Sequence, residues 1–390
     1  MEKNNLISEK NKKNLIYIQT ELNTLIKHQK NTKIVFYILL ILNIALIFII
    51  INNKNQINFK IRQIIDQKFF NISIIISKVN ETKNISINKI NNKTEIINKK
   101  IIDEIINEQN YFCDNFDKYI NKEIEEQIKL IHFEFNKVKY QIYSYKDNND
   151  QKNTIIYNPM FKMQFNSILN DIKVFAEKNN ISNYKNIYII DIGGYIGYLG
   201  TIFGNYGYNI LSFEPFDKNY YIYRKNYCQF NRNNTGIIII NKGIYDNEKK
   251  NNYYSKRDNI GNGMVLGNDI KDTKIRYAYE KISEVYTTRL NNYETYLSDK
   301  TIVLMIIDIQ GSEAIAIESG IELIMKYHIP YIILNYNPTL LKIHGTDPDT
   351  LLQKLVNNGY KIYKNGKLLK NINNIDYGDK FDIILYLVYE

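Results

Sequence analysis

Tryptophan is absent from this chain of 390 residues; proline is down to 5, histidine to 4 and cysteine to 2. Two cysteines far apart do not make a disulfide framework. Cys113 falls in a predicted helical stalk, where it could cross-link two parallel chains, and Cys228 in a predicted helix of the C-terminal half. Both read as plain thiols. No histidine, cysteine and aspartate cluster at metal-ligand spacing, so no metal is expected. Proline and glycine are missing altogether between Asn52 and Asn158, which leaves nothing there to break a long helix.

What is abundant is Asn, Ile, Lys and Tyr, the residues that AT-rich codons encode. The formal charge is +10. A nucleic-acid surface gathers its basic residues on one face and interleaves them with stacking aromatics. Here the lysines are scattered among asparagines, and nucleic acid is not an expected partner.

The scarce glycines concentrate where the chain is most informative. Residues 187–190 form a short apolar run that leads into Asp191, followed by glycines at 193, 194 and 197. A strand, a Gly-rich turn and a helix start make the cofactor crevice of an open α/β sheet. Glycine there allows positive φ and close approach of a ligand. A second strand, 208–213, ends in Glu214-Pro215, about 23 residues after Asp191. An acid at that place is set to accept hydrogen bonds from ribose hydroxyls. The turn lacks both the G-x-G-x-x-G spacing and the Gly-Lys-Ser/Thr of a phosphate loop. A nucleoside cofactor without pyrophosphate fits better, and S-adenosylmethionine is the common one. A third run, 301–307, is apolar throughout, as in a central strand buried on both faces. It ends in Asp308-Ile-Gln-Gly-Ser-Glu313, and an amphipathic helix with Ala314, Ile317, Ile321 and Ile324 follows.

With these pieces in order, residues 155–390 resemble the FkbM-type methyltransferase family. The matching segments are Asp191-Ile-Gly-Gly-Tyr-Ile-Gly197, Ser212-Phe-Glu-Pro215, Asp308-Ile-Gln-Gly-Ser-Glu313, Glu318-Ser-Gly320, Asn335-Tyr-Asn-Pro338 and Asn358-Gly-Tyr360. The resemblance implies an α/β, Rossmann-like sheet of seven strands with a reversed last strand. The strands would be 187–190, 209–213, 236–240, 302–307, 331–334, 360–363 and 381–388. It implies S-adenosylmethionine held by Asp191, Gly193, Gly194, Gly197 and Glu214, with Gly243 near the adenine. It implies methyl transfer to oxygen, most often of a sugar. Asp308 ranks first as general base, with Glu313 and His344 behind it. Glu313 can equally complement a helix N-terminus, and His344 can be an ordinary surface residue. Three positions depart from the family: Ile306 stands where it usually has lysine, Gln310 where it has glutamate, and Asn335 where it has an acid.

Ahead of this domain, residues 34–51 are apolar but for Asn43. At about 1.5 Å per residue they reach roughly 27 Å, near the hydrocarbon thickness. A single transmembrane helix is expected, preceded by a basic tail, 1–33. Lysines 3, 10, 12, 13, 27, 30 and 33 precede the span; Lys54, Lys60, Arg62 and Lys68 follow it. That bias puts the N-terminus in the cytoplasm and the catalytic domain in a lumen or outside. Sequons at Asn71, Asn80, Asn84 and Asn92 fit, though an Asn-rich chain makes such triplets by chance.

Residues 52–145 read as a helical stalk. Ile124, Ile128, Ile131, Phe135, Val138 and Ile142 step by four and three, a heptad seam, and Ile97, Ile101 and Ile105 repeat every four. A homo-oligomeric coiled coil is the expectation; the alternative is a helix that packs on its own domain. Residues 146–154 form the linker. The reading is a membrane-anchored O-methyltransferase acting on a glycan or glycolipid. Its rivals are a coiled-coil membrane interaction protein with an inactive methyltransferase-like domain, and a membrane-anchored glycosyltransferase using Asp347-Pro-Asp349. The last triplet opens a predicted helix and reads as a cap.

Overall fold

A computed structural model describes residues 100, 102–146, 159–232, 236–256, 259–266, 279–370, 372 and 383–389. The chain divides into two units, Met1–Lys89 and Ile90–Glu390, and the described residues all belong to the second. The expected span 34–51, the basic tail, the sequons, Ile97 and Ile101, and 147–154 of the linker lie outside them. Among the described residues no helix is long and apolar enough to cross a membrane.

The described chain opens with helix α1, residues 102–114. It does not stand away as a stalk. Ile102, Gln109 and Phe112 are buried. The Gln109 amide donates to Ile237 O (2.8 Å) and accepts from Ile239 N (3.1 Å). It therefore pairs a sheet-edge backbone that would otherwise stay open. A short helix, α2 (Lys122–Gln127), is capped by the Asn121 side chain, which accepts from Ile124 N.

The heptad seam then gives way to a β-hairpin of β1 (Ile128–Phe135) and β2 (Val138–Tyr145). The two turn residues, Asn136 and Lys137, have φ of 48° and 65°, as a two-residue hairpin turn with the strands' own twist requires. The steps of three and four that spell a heptad coexist here with steps of two. Phe133 and Phe135, and Tyr140, Ile142 and Ser144, are buried, while Val138 of the supposed seam is exposed. Aromatic and β-branched residues favour a pleated, half-buried surface, and Phe165, Tyr198 and Phe203 are there to cover it.

Helix α3 (Pro159–Lys178) buries Phe165, Ile168, Ile172 and Ala176 at helical spacing. After it come β3 (Ile187–Ile192), α4 (Tyr198–Asn205), β4 (Asn209–Phe213), α5 (Asp217–Asn226) with a π turn at Tyr227–Asn231, and β5 (Ile237–Ile240). An unexpected group follows: β6 (Gly243–Ile244), β7 (Lys250–Lys256), β8 (Asn259–Leu266) and β9 (Glu280–Thr288). Then come β10 (Thr301–Ile307), α6 (Glu313–Lys326), β11 (Tyr331–Tyr336), α7 (Pro338–Ile343), α8 (Pro348–Asn357), β12 (Tyr360–Lys364), β13 (Lys367–Leu368) and β14 (Ile383–Tyr389).

The main sheet has the order β13-β12-β14-β11-β10-β3-β4-β5. Strands β5, β4, β3, β10 and β11 are parallel, and β14 runs antiparallel beside β11. The seven expected strands are all present, the last one reversed, with the two-residue β13 added at the edge. Both faces are covered. Ile190, Ile192, Met305 and Ile307 pack on one side with α6 and α8. Ile189, Ile210, Leu304 and Ile306 pack on the other with the hairpin, α3 and α4. The second sheet, β6-β9-β7-β8, is inserted between β5 and β10.

The two cysteines are joined. Cys113, at the end of α1, is bonded to Cys228 in the turn after α5, with their Cα atoms 5.2 Å apart. The free-thiol reading is therefore corrected. A contact between residues 115 apart leaves no trace in local spacing; it exists because α1 folds back against the edge of the sheet.

Candidate functional site

Chain order reverses between β3 and β10, which are neighbours in the sheet but far apart in sequence. Ligands of open α/β sheets bind beyond the carboxyl ends of the strands at such a point. A cleft open to solvent lies there. Its walls include Gly193, Tyr195, Glu214, Asn219, Gly243, Tyr253, Val265, Asp308 and Ser312. Four of the expected site residues, Gly193, Glu214, Gly243 and Asp308, thus meet in one place.

Gly193 has φ of +95°, and a β-carbon on it would stand 2.0 Å from the main-chain oxygen of Asp308. The turn after β3 and the turn after β10 touch there. Gly194 and Gly197 do something else. Neither is among the residues that line the cleft. A β-carbon on Gly194 would stand 2.2 Å from Ser212 Oγ and 2.9 Å from the Tyr223 ring, and one on Gly197 would stand 2.3 Å from that ring. The buried Tyr223 ring of α5 packs against the loop, and glycine is what leaves it room.

Glu214 is buried and held from three sides. Its Oε2 accepts from Tyr195 N (2.9 Å), and its Oε1 from Phe216 N (2.9 Å) and Asn219 Nδ2 (3.3 Å). Burial still outweighs these donors and raises its carboxyl from 4.5 to about 8, with nearby Asp191 adding to the rise. Asp191 is also buried behind the loop, accepting from Ser212 Oγ at 2.8 Å. Burial lifts it to about 6, the Ser212 hydrogen bond opposing and Asp308 adding. Its register neighbour on β10 is Ile306, so an apolar side chain stands in its row of the sheet where a cation would have countered the shift.

On the acceptor side, Asp308 Oδ1 accepts from Gln310 Nε2 (3.0 Å) and Asn335 Nδ2 (2.8 Å). Glu313 does not face the cleft. Its carboxylate turns back to Ile309 N and Gly311 N, the latter at 3.0 and 2.8 Å from its two oxygens. It closes the turn over the start of α6, and burial raises it to about 8. His344 ends α7, buried, with Nδ1 3.4 Å from Ser312 Oγ. Burial lowers it to about 4, so it is neutral at physiological pH and is no surface residue. Ser312 in turn donates to Val265 O at 3.1 Å. Neither Glu313 nor His344 lines the cleft.

Residues 191–362 match the model of the methyltransferase FkbM domain. This part of the chain is an FkbM-type methyltransferase domain. A crystal structure of the SAM-dependent methyltransferase from Agrobacterium tumefaciens is similar at 8% identity and a TM-score of 0.32, over 67% of this chain and 70% of that one. No curated protein matches the chain.

The cofactor of the FkbM domain is S-adenosylmethionine, and the cleft fits it. Among the described residues its walls carry two carboxyl groups, Glu214 and Asp308, with Phe213, Ile244, Tyr253 and Val265, and no lysine or arginine. That set suits a cationic nucleoside and not a pyrophosphate. The walls that the sequence did not announce are Tyr253, Gly263 and Val265, from the inserted sheet, and Asn219. On β7 the buried positions are Asn251, Tyr253 and Ser255. Two of these three are polar, so no apolar alternation marks the strand.

Proposed function

We propose that the chain is an S-adenosylmethionine-dependent O-methyltransferase that acts on a sugar hydroxyl of a glycan or glycolipid. One observation carries this reading: Asp308 stands in the same cleft wall as Gly193 and Glu214, with one carboxylate oxygen held by Gln310 and Asn335. When bound, the cofactor supplies a methyl group on a positively charged sulfur. Asp191 stands behind the turn as its support, Glu214 accepts from the ribose hydroxyls, and Gly243 and Ile244 border the base. Charge-assisted hydrogen bonds of this sort contribute about 1.5–3 kcal/mol each. Asp308 takes the proton of the acceptor hydroxyl. A placed base gives about 10²–10⁴-fold in rate, and holding both reactants in line gives about 7–11 kcal/mol. Glu313 and His344 act on the acceptor side through Gly311 and Ser312, as supports of that wall. The sugar as acceptor rests on the FkbM resemblance.

The setting is part of the proposal. The apolar run 34–51 supports a membrane anchor, and the lysine bias supports a lumenal or exterior domain. The Cys113–Cys228 bond supports the same side, since disulfides persist in oxidising compartments. Helix α1 packs on the domain, and the self-association proposed for the stem is assigned to the chain ahead of it.

The test has two parts. The full chain should bind S-adenosylmethionine by calorimetry, and Asp308→Asn should keep that binding while losing transfer. Mass spectrometry of glycans made with and without the gene should show the added methyl groups. A domain that binds the cofactor and methylates no glycan would favour the inactive reading, which the amides at Gln310 and Asn335 keep in play.

A further inference from the structure

The FkbM match begins at Asp191, yet the hairpin before it reaches the cofactor side of the cleft. Three consecutive residues of β2 make contact. Tyr143 pairs through its main chain with the Asn226 side chain, at 2.7 and 3.1 Å, and the same amide donates to Ile196 O of the glycine loop at 2.8 Å. Ser144 accepts from the Tyr198 hydroxyl at 3.2 Å. Tyr145 donates to Asn219 Oδ1 at 2.9 Å, and Asn219 donates from its other end to Glu214 Oε1 at 3.3 Å. Tyr145, Asn219 and Glu214 are 5%, 1% and 3% exposed. The Tyr145 ring lies over Tyr195 at 6.4 Å, whose N–H holds the other oxygen of Glu214.

An asparagine amide can present either its oxygen or its nitrogen to a carboxylate. Only the nitrogen donates. A hydroxyl that donates to Oδ1 fixes that choice. We propose that Tyr145 is a positioning residue for the cofactor: through Asn219 it orients the Glu214 carboxylate toward the ribose. This deepens the function proposed above and rests on Glu214 meeting the cofactor. The hairpin is then a working part of the site, supplied from outside the FkbM domain.

The relay favours the ionised form of Glu214, because Asn219 donates to it. The titratable groups that act on Glu214 among the described residues are Asp191 of β3, Tyr145 of β2 and Tyr253 of β7. None of them is a cation, so its donors alone oppose the rise that burial imposes. Losing one moves its protonation to higher pH.

The full chain is titrated with S-adenosylmethionine by calorimetry from about pH 6 to about pH 9, the range that brackets a buried carboxyl of this kind. Tyr145→Phe keeps the ring and removes one donated hydrogen bond. The expected Kd is about three- to tenfold higher, and the pH midpoint of binding moves up by roughly half to one pH unit. Asn219→Ala should move it the same way, and the double variant should move it no further than Asn219→Ala alone. Tyr140→Phe, on the same strand, should move neither. A second arm needs no cofactor: the infrared band of the Glu214 carboxyl, identified by its loss in Glu214→Gln, should titrate higher in Tyr145→Phe. If Tyr145→Phe weakens binding equally at every pH, or its effect adds to that of Asn219→Ala, the proposal is overturned. If the chain takes no S-adenosylmethionine but the Glu214 band still moves in Tyr145→Phe, the relay stands and the cofactor reading fails.

Discussion

The main-chain oxygen of Asp308 lies 2.0 Å from the point where a β-carbon on Gly193 would stand. The oxygen belongs to the turn between β10 and α6, so it has no flexible side chain to swing aside. Gly193 also sits at φ of +95°. Gly193→Ala should therefore cost at least about 2–3 kcal/mol and abolish cofactor binding. Gly207 has a similar φ of +87° but nothing within 4 Å of its added β-carbon. Gly207→Ala should cost only about 1–2 kcal/mol and keep binding. Denaturant melts and calorimetry on the two variants decide it; equal losses would sink the claim that the two turns meet at Gly193.

Three buried carboxyls share one sign. Glu214 and Glu313 stand at about 8 and Asp191 at about 6, each raised by burial. Their unfolded values are 4.5, 4.5 and 3.8. Between those limits the folded chain holds more protons than the unfolded chain. Their contribution to stability is complete below about pH 4 and is lost as pH rises through about 6 for Asp191 and about 8 for the glutamates. The cofactor-free chain should be less stable at pH 8.5 than at pH 5.5 by on the order of a few kcal/mol, and should melt at a correspondingly lower temperature. Glu313→Gln, which stays neutral and can still accept from Gly311, should flatten part of that slope. Cofactor binding, which takes Glu214 ionised, should release protons near neutral pH. A melting temperature that rises over this window would contradict the burial of these groups.

Much of the sheet and the outline of the site were legible because local signals suffice for them. The run 301–307 reads as a strand covered on both faces, Glu214 and Asp308 come directly after β4 and β10, and Asp191 is the last residue but one of β3. The hairpin was not legible, because 128–142 satisfies a heptad and an alternation at once; what decides is the surface offered by Phe165, Tyr198 and Phe203. The roles of Gly194 and Gly197 depend on where Tyr223 lands, 26 residues past Gly197 and in another helix. The inserted sheet hides behind buried polar side chains such as Asn251, which donates to Thr287 Oγ1 at 2.8 Å.

Asp347 is a cap. Its side chain accepts from Thr350 N (3.0 Å) and Thr350 Oγ1 (2.7 Å), at the start of α8. Asp347→Ala should cost about 1 kcal/mol, as lost N-caps do, and leave cofactor binding unchanged. Loss of sugar-nucleotide binding in that variant would instead bring back the glycosyltransferase reading.

The Cys113–Cys228 bond spans 115 residues, and a cross-link over such a loop removes unfolded-state entropy on the order of 4–5 kcal/mol. It also fastens the end of the element that carries Asn219, Tyr223 and Asn226, side by side with the Arg224 guanidinium 3.8 Å over the Phe112 ring. Replacing both cysteines by serine should lower the melting temperature by roughly 10 °C. It should also weaken S-adenosylmethionine binding, since α5 holds the loop that Tyr223 packs against. A digest of the unreduced chain should contain the linked peptide. Full alkylation of both thiols without reductant, in chain isolated from its own host, would remove the cross-link and, with it, the support for an oxidising compartment.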